Sequence, residues 1–168
     1  MTNYLNNELM YKSFILGAKN VIHEKNGLNA INVFPVPDGD TGSNLASMMQ
    51  SIIERSKLGE TSEETLQSIV DAAIVGARGN SGIIFAQYIY GFSLEAPDEI
   101  TKETFANMLE RASNHAYNAI AKPVEGTMIT VMRVFAQAVD KLKEKGQDFL
   151  DILTNAFEIV KIELQRTP

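Results

Sequence analysis

Apolar residues recur along this chain at the three- and four-residue spacing of amphipathic helices, and that spacing divides it into seven long segments. Leu5, Leu9, Ile15, Leu16, Val21 and Ile22 mark a first helix, stopped near Gly27. Leu45, Met48, Met49, Ile52 and Ile53 mark a second, which starts close to Thr41. A third opens at Thr61, with Glu64 placed to complete a capping box, and its apolar face carries Leu66, Ile69, Val70, Ala73 and Ile74. A fourth, shorter helix follows Gly82 with Ile83, Ile84, Ala86, Gln87 and Tyr90. Pro97 to Thr101 reads as a loop and cap before a fifth, marked by Phe105, Met108, Leu109, Ala112 and Ala116. Lys122 to Gly126 breaks the pattern; a sixth helix runs from about Thr127 to Lys145 and ends at Gly146. The seventh runs from Asp148 to about Arg166 on Phe149, Ile152, Leu153, Ala156, Phe157 and Val160, with Leu150 and Ile159 outside that stripe. Strand alternation is nearly absent, and no repeat or interdomain linker interrupts the pattern. The prediction is one all-α domain over residues 1–168, an up-and-down bundle of antiparallel helices joined by short connections.

Three breaks in the pattern are rich in glycine: PDGDTGSN at 37–44, GARGNSG at 76–82 and PVEGT at 123–127. They precede the second, fourth and sixth helices. In an up-and-down bundle even-numbered helices start at the same end, so the three loops are expected around one mouth. Helix N-termini carry backbone N–H groups without intrahelical partners and the positive end of the helix dipole, a setting that favours phosphate.

Composition narrows the chemistry. At 45% hydrophobic residues the chain can bury a core, and with no cysteine it has neither disulfides nor thiolate metal ligands. No run approaches the ~20 apolar residues of a membrane-spanning helix, and the N-terminus lacks the build of a signal peptide, so the expected setting is cytoplasmic, without membrane insertion. The net charge of −6, from 15 basic and 21 acidic residues, comes without a basic stripe and argues against a nucleic-acid partner. An acidic protein that handles an anionic ligand has to manage charge locally, and a divalent cation does so.

Asp38 and Asp40, one glycine apart ahead of a helix, can face a single ion. Hard carboxylate oxygens suit Mg²⁺, which keeps waters and takes phosphate oxygens as further ligands. The competing reading is a turn and N-cap, where Asp, Gly, Thr and Ser are common. An EF-hand fails on spacing: counted from Asp38, its sixth and twelfth positions are Ser43 and Met49 rather than glycine and glutamate. A Walker A loop fails because no Gly-Lys-Ser/Thr occurs. In the second loop the backbone of Gly76 to Gly82 can wrap a phosphate, Asn80 and Ser81 can add donors, and Arg78 can neutralise charge; an ordinary interhelical turn with a solvated Arg78 accounts for the same residues. Thr127 stands where its hydroxyl either caps the sixth helix or meets a ligand, and Met128 suits a flat ring or the core. His23 and His115 have no candidate nucleophile beside them.

With PVPDGDTGSNL, GARGNSG and PVEGTM in these positions, the chain resembles the dihydroxyacetone-kinase L family over Ala18 to about Arg166, and NVFPVPDGDTGSNL resembles its fatty acid kinase branch. The resemblance implies a barrel of eight antiparallel helices binding ATP at one mouth, with Mg²⁺, normally two ions, between the aspartates and the phosphates. By it Asp38 and Asp40 are the metal ligands and the catalytic carboxylates; Thr41, Gly42, Ser43 and Asn44 surround the phosphates; Gly79, Asn80, Ser81 and Gly82 form a phosphate loop; Thr127 and Met128 lie on the nucleotide. It implies phosphoryl transfer to a fatty acid carboxylate held by a separate DegV-type fatty-acid-binding protein. A dihydroxyacetone-type kinase subunit, a nucleotide- or metal-binding helical module without catalysis, and a helical interaction protein whose glycine loops are only turns are the alternatives. The dihydroxyacetone enzymes carry a third aspartate shortly before this motif; here Asn32 is the nearest stand-in. The family also continues into an eighth helix and a further nucleotide loop, so residues 1–168 are expected to be part of a longer unit. An apolar seam between the first and seventh helices, and self-association such as a homodimer, would follow.

Overall fold

The computed structural model describes residues 4–145 and 148–167. Among them are eight α-helices: α1 (Asn7–His23), α2 (Lys25–Ala30), α3 (Thr41–Arg55), α4 (Ser62–Gly76), α5 (Gly79–Ser93), α6 (Lys102–Asn118), α7 (Met128–Leu142) and α8 (Phe149–Leu164). Two short strands, β1 (Tyr4–Leu5) and β2 (Ile100–Thr101), pair antiparallel. The all-α bundle expected from the periodicity is the fold, and the helix count is seven long elements plus the six-residue α2.

Local chemistry sets most of the boundaries. Asn6, Thr61, Thr101 and Asp148 each cap a helix, their side chains accepting from the backbone N–H three residues on. Glu64 forms only half of the expected box: its carboxylate accepts from the N–H of Glu60 at 2.8 Å rather than from that of Thr61. Gly27 does not stop the first helix. Glu24 N–H still donates to Asn20 O and Leu28 N–H to Glu24 O, so the chain bends at Glu24 and continues as α2, at the ~1 kcal/mol that a helical glycine costs. Helix α5 begins at Gly79, four residues before the expected start at Ile83, because Gly82 N–H donates to Arg78 O and closes a first turn over Asn80 and Ser81. The stop expected at Gly146 lies outside the described residues; α7 itself ends at Leu142.

Helix directions follow from contacts across the bundle. Ser47 and Ser51 of α3 donate to Gly76 O and Ala72 O of α4, at 3.1 and 2.7 Å, so the two run antiparallel. Near the start of α1, Asn7 donates to Gly59 O and Tyr11 to Ser56 O, which sets α1 antiparallel to α3. Tyr90 meets His115 and Phe92 meets Phe105, pairing α5 with α6 in opposite sense. Lys143 just beyond α7 reaches Glu103 at the start of α6, and the Phe149 ring packs on Phe105. Helices α3, α5 and α7 therefore all begin at one end of the bundle. Met48, Ile52, Leu66, Ile69, Ile89, Met108 and Ile152 are fully buried between the helices, each side chain stabilising by about 1.5–3 kcal/mol.

On the flank, a shallow apolar groove lined by Phe135, Leu153 and Phe157 opens between α7 and α8. Leu150 is 74% exposed and Ile159 43%, as their positions outside the stripe of α8 require. No helix among the described residues is long and apolar enough to cross a membrane.

Gly76 ends α4 with its backbone against α3: a Cβ there would overlap that of Ser51 and lie 2.9 Å from Met48 Cα. Neither atom is the end of a flexible chain. Gly76→Ala is expected to lower stability by about 1–3 kcal/mol, measured as a fall in the urea midpoint at constant m-value. An unchanged midpoint would show that α3 and α4 separate freely here.

Candidate functional site

The α3 N-terminus is built by two asparagines that precede it. Asn32 Oδ1 accepts from the N–H groups of Asp40 and Thr41 at 3.2 and 3.0 Å, while its Nδ2 donates to Val36 O. Asn29, on α2, accepts from Ser43 N–H at 3.0 Å and donates to Ser43 Oγ at 3.0 Å. The open N–H groups expected at this helix start are therefore already in use at Thr41 and Ser43, because carboxamides close to a helix start compete for such donors. Gly42 is buried against α2: a Cβ there would overlap Lys25 O and lie 2.8 Å from Asn29 Oδ1.

Asp40 occupies the N-cap position of α3 but makes no side-chain capping bond. Asp38 is exposed and Asp40 half-buried. No protein hydrogen bond or ion pair involves either carboxylate among the described residues, where no group of three or more His, Cys, Asp and Glu side chains converges. Two uncommitted hard oxygen donors fit a cation that takes one or two carboxylates and completes its shell with water and phosphate.

The second loop lies against the first. Gly79 has φ +58, and a Cβ on it would overlap the carboxamide of Asn44, so only glycine serves both the backbone and the contact. Gly82 is buried, with Asn44 O 3.6 Å from its Cβ position. Arg78 donates from one guanidinium nitrogen to Val75 O and Ala77 O, at 3.0 and 2.7 Å, tying it to the α4 C-terminus. Asn80 is exposed. The Ser81 hydroxyl is buried and has no partner among the described residues. Leaving such a group unpaired costs about 1–3 kcal/mol, which a ligand oxygen would recover.

The third loop reaches the same end through α6 and α7. Thr127 is the N-cap of α7, yet its hydroxyl donates to Val124 O at 2.8 Å instead of accepting from the helix. Capping passes to Thr130, which accepts from Gly126 N–H at 2.9 Å and donates to Glu125 at 2.6 Å; Arg133 donates to the same carboxylate oxygen at 2.7 Å. Met128 is half-buried against the core. Asn29, Glu125, Thr130 and Arg133 escape the sequence reading. The signal for Asn29 is a carboxamide within reach of a helix start, and for Thr130 a hydroxyl in the first turn.

Glu125 is held below its ordinary value of 4.5 first by the Thr130 hydroxyl and then by Arg133. A depressed carboxylate stabilises fully above its unfolded value, and that stabilisation is lost as pH falls through the folded one. The group is largely exposed, so the effect is small. The stability gap between the protein and Glu125→Gln is expected to be steady at neutral pH and to narrow below 4.5, read by urea unfolding across pH. A gap unchanged in acid would show that the loop draws nothing from this carboxylate.

Comparison with known proteins gives the family. Protein YloV of Bacillus subtilis is 37% identical over 158 residues, covering 92% of this chain and 29% of the relative. An uncharacterised protein of Staphylococcus saprophyticus is 35% identical over 172 residues, covering all of this chain and 31% of the relative. One from Staphylococcus epidermidis is 33% identical, with the same coverage. The chain thus spans about a third of the length of these relatives. The DAK2 domain model matches residues 35–168, which takes in all three glycine loops. This chain therefore belongs to the DAK2 family, as a nucleotide-binding, kinase-related module of the dihydroxyacetone-kinase L type.

Proposed function

We propose that the mouth formed by α3, α5 and α7 binds ATP with Mg²⁺, normally two ions, and that the γ-phosphoryl group passes to a fatty acid carboxylate presented by a separate DegV-type fatty-acid-binding protein. The observation that carries the reading is the pair of uncommitted carboxylates, Asp38 and Asp40, on a loop packed against a turn whose buried Ser81 hydroxyl lacks a partner. An acceptor for cations and a donor for anions at one mouth match a metal–polyphosphate ligand.

When bound, the cation would neutralise phosphate charge and bridge the nucleotide to the protein. Asp38 and Asp40 would hold it, Gly79 would let the backbone approach closely, and Asn80 and Ser81 would donate to phosphate oxygens. Thr41, Gly42, Ser43 and Asn44 would shape the floor of the site, with Ser43 kept in place by Asn29. Thr127 and Met128 would border the nucleotide at the third loop. A carboxylate oxygen of the acceptor would attack the γ-phosphorus in line as the bond to the bridging oxygen breaks, giving acyl phosphate and ADP. Phosphoryl transfer asks little covalent chemistry of a protein, so positioning and charge neutralisation would supply the catalysis. Two observations favour an acceptor held elsewhere. The one apolar groove noted above sits on the flank of the bundle, away from the three loops. Exposed Ile31, Val33 and Val36 run directly into the aspartate loop, a surface suited to a protein-borne apolar substrate.

Asp38→Ala and Asp40→Ala are each expected to abolish Mg²⁺-dependent ATP binding in calorimetry while changing stability by less than ~0.5 kcal/mol. Wild-type binding by both variants would remove the metal assignment. For the reaction, a longer form of the protein is mixed with ATP, Mg²⁺ and a lipid-loaded DegV-type carrier, and acyl phosphate is trapped as the hydroxamate. ATP binding without any trapped product would leave a nucleotide-binding module rather than a fatty acid kinase.

A further inference from the structure

Among the described residues four helices are capped by their own N-cap side chain, and in all four the capping residue has an extended backbone, with ψ of 168 at Asn6, 163 at Thr61, 170 at Thr101 and −178 at Asp148. Asp40 departs from them. Its φ and ψ are −112 and −6, and its carboxylate makes no capping bond, although aspartate is among the best capping residues. A capping side chain takes the N–H two or three residues on; of these two, that of Ser43 is received by Asn29 Oδ1, while Asn32 Oδ1 receives the N–H groups of Asp40 and Thr41.

We propose that Asn32 and Asn29 are positioning residues: Asn29 takes the Ser43 donor that an Asp40 cap would use, Asn32 fixes the backbone of Asp40 and Thr41, and together they keep the Asp40 carboxylate uncommitted for a divalent cation. The inference rests on the reading of Asp38 and Asp40 as cation ligands. Asn32 serves as support and not as a third ligand, because a carbonyl oxygen has two lone pairs and both are engaged by N–H donors. Asn29 acts two residues further into the helix, and its second bond fixes the Ser43 hydroxyl. The buried Gly42 between them admits α2 closely enough for Asn29 to reach.

The test measures Mn²⁺ affinity by electron paramagnetic resonance, with a saturating non-hydrolysable ATP analogue, for the 168-residue chain and for Asn32→Ala, Asn32→Asp, Asn29→Ala and Asp40→Asn. Amide exchange at Asp40, Thr41 and Ser43 is followed in the metal-free proteins. Asn32→Ala is expected to weaken Mn²⁺ binding about tenfold or more, the scale for residues that orient metal ligands. It should also speed exchange at Asp40 and Thr41 before any metal is added. Asn32→Asp keeps the accepting oxygen and should retain both slow exchange and Mn²⁺ binding. Asn29→Ala should act in the same direction with its exchange effect at Ser43, and it carries the test if Asn32→Ala does not fold. Wild-type affinity in Asn32→Ala, alongside lost binding in Asp40→Asn, would overturn the positioning role and leave the metal site standing. Weakened binding in Asn32→Ala with unchanged metal-free exchange would make Asn32 a ligand and overturn it as well. Equal Mn²⁺ affinity in the wild type and Asp40→Asn would instead remove the cation reading on which the proposal rests.

Discussion

Helix α3 has to lie at backbone distance from its neighbours, and the rest of the molecule is arranged around that requirement. Gly42 brings it against α2, and Gly76 brings the end of α4 against Ser47, Met48 and Ser51. Ser47 and Ser51 then bond the α4 backbone directly, which larger residues would prevent. Glycine inside a helix costs about 1 kcal/mol in propensity. Here that loss is offset by close packing of Met48 and Ile52, both fully buried. Two of the three glycine-rich segments meet because α3 is seated in this way, with Asn44 lying on Gly79.

Polar groups at the mouth fall into two sets. One set is satisfied internally: Asn29 with Ser43, Asn32 with Asp40 and Thr41, Arg78 with the end of α4, and Thr130 and Arg133 with Glu125. These bonds hold three loops in fixed shapes, and loops held this way can position a ligand without a large ordering cost. The other set is left without partners among the described residues: the carboxylates of Asp38 and Asp40 and the hydroxyl of Ser81. Charge sharpens the contrast. The chain carries a net charge of −6, and both Arg78 and Arg133 are already bonded within the protein. A polyphosphate brought to this mouth would need its charge balanced from outside the side-chain inventory, which is what a bound divalent cation supplies.

The seven long helices and their order were legible from periodicity alone, because each presents an apolar face to one shared core. Caps were legible at Thr61 and Thr101, where a hydroxyl precedes an apolar run. That the three loops lie at one end of the bundle was legible from helix parity, since antiparallel neighbours leave alternate connections at the same end. Individual roles at the mouth were less legible. Thr127 resembles a cap, but its hydroxyl turns to Val124, and Thr130 takes the loop donor.

By itself, then, the sequence determined the all-α class, the segments that become helices, and the two aspartates and three glycine loops that mark one end of the bundle. These are local properties, encoded in residue spacing and turn chemistry. Tertiary structure decided which backbone donors remain free. Asn29 and Asn32 reach the start of α3 only because α2 folds back over it, a bend at Glu24 and past Gly27 that periodicity reads as a stop. Burial of Ser81 Oγ, the overlap that forbids a side chain at Gly79, and the exposed apolar face of α8 depend likewise on how distant segments pack. Hydrogen-bond competition is settled by distance in space, and spacing along the chain does not fix that distance.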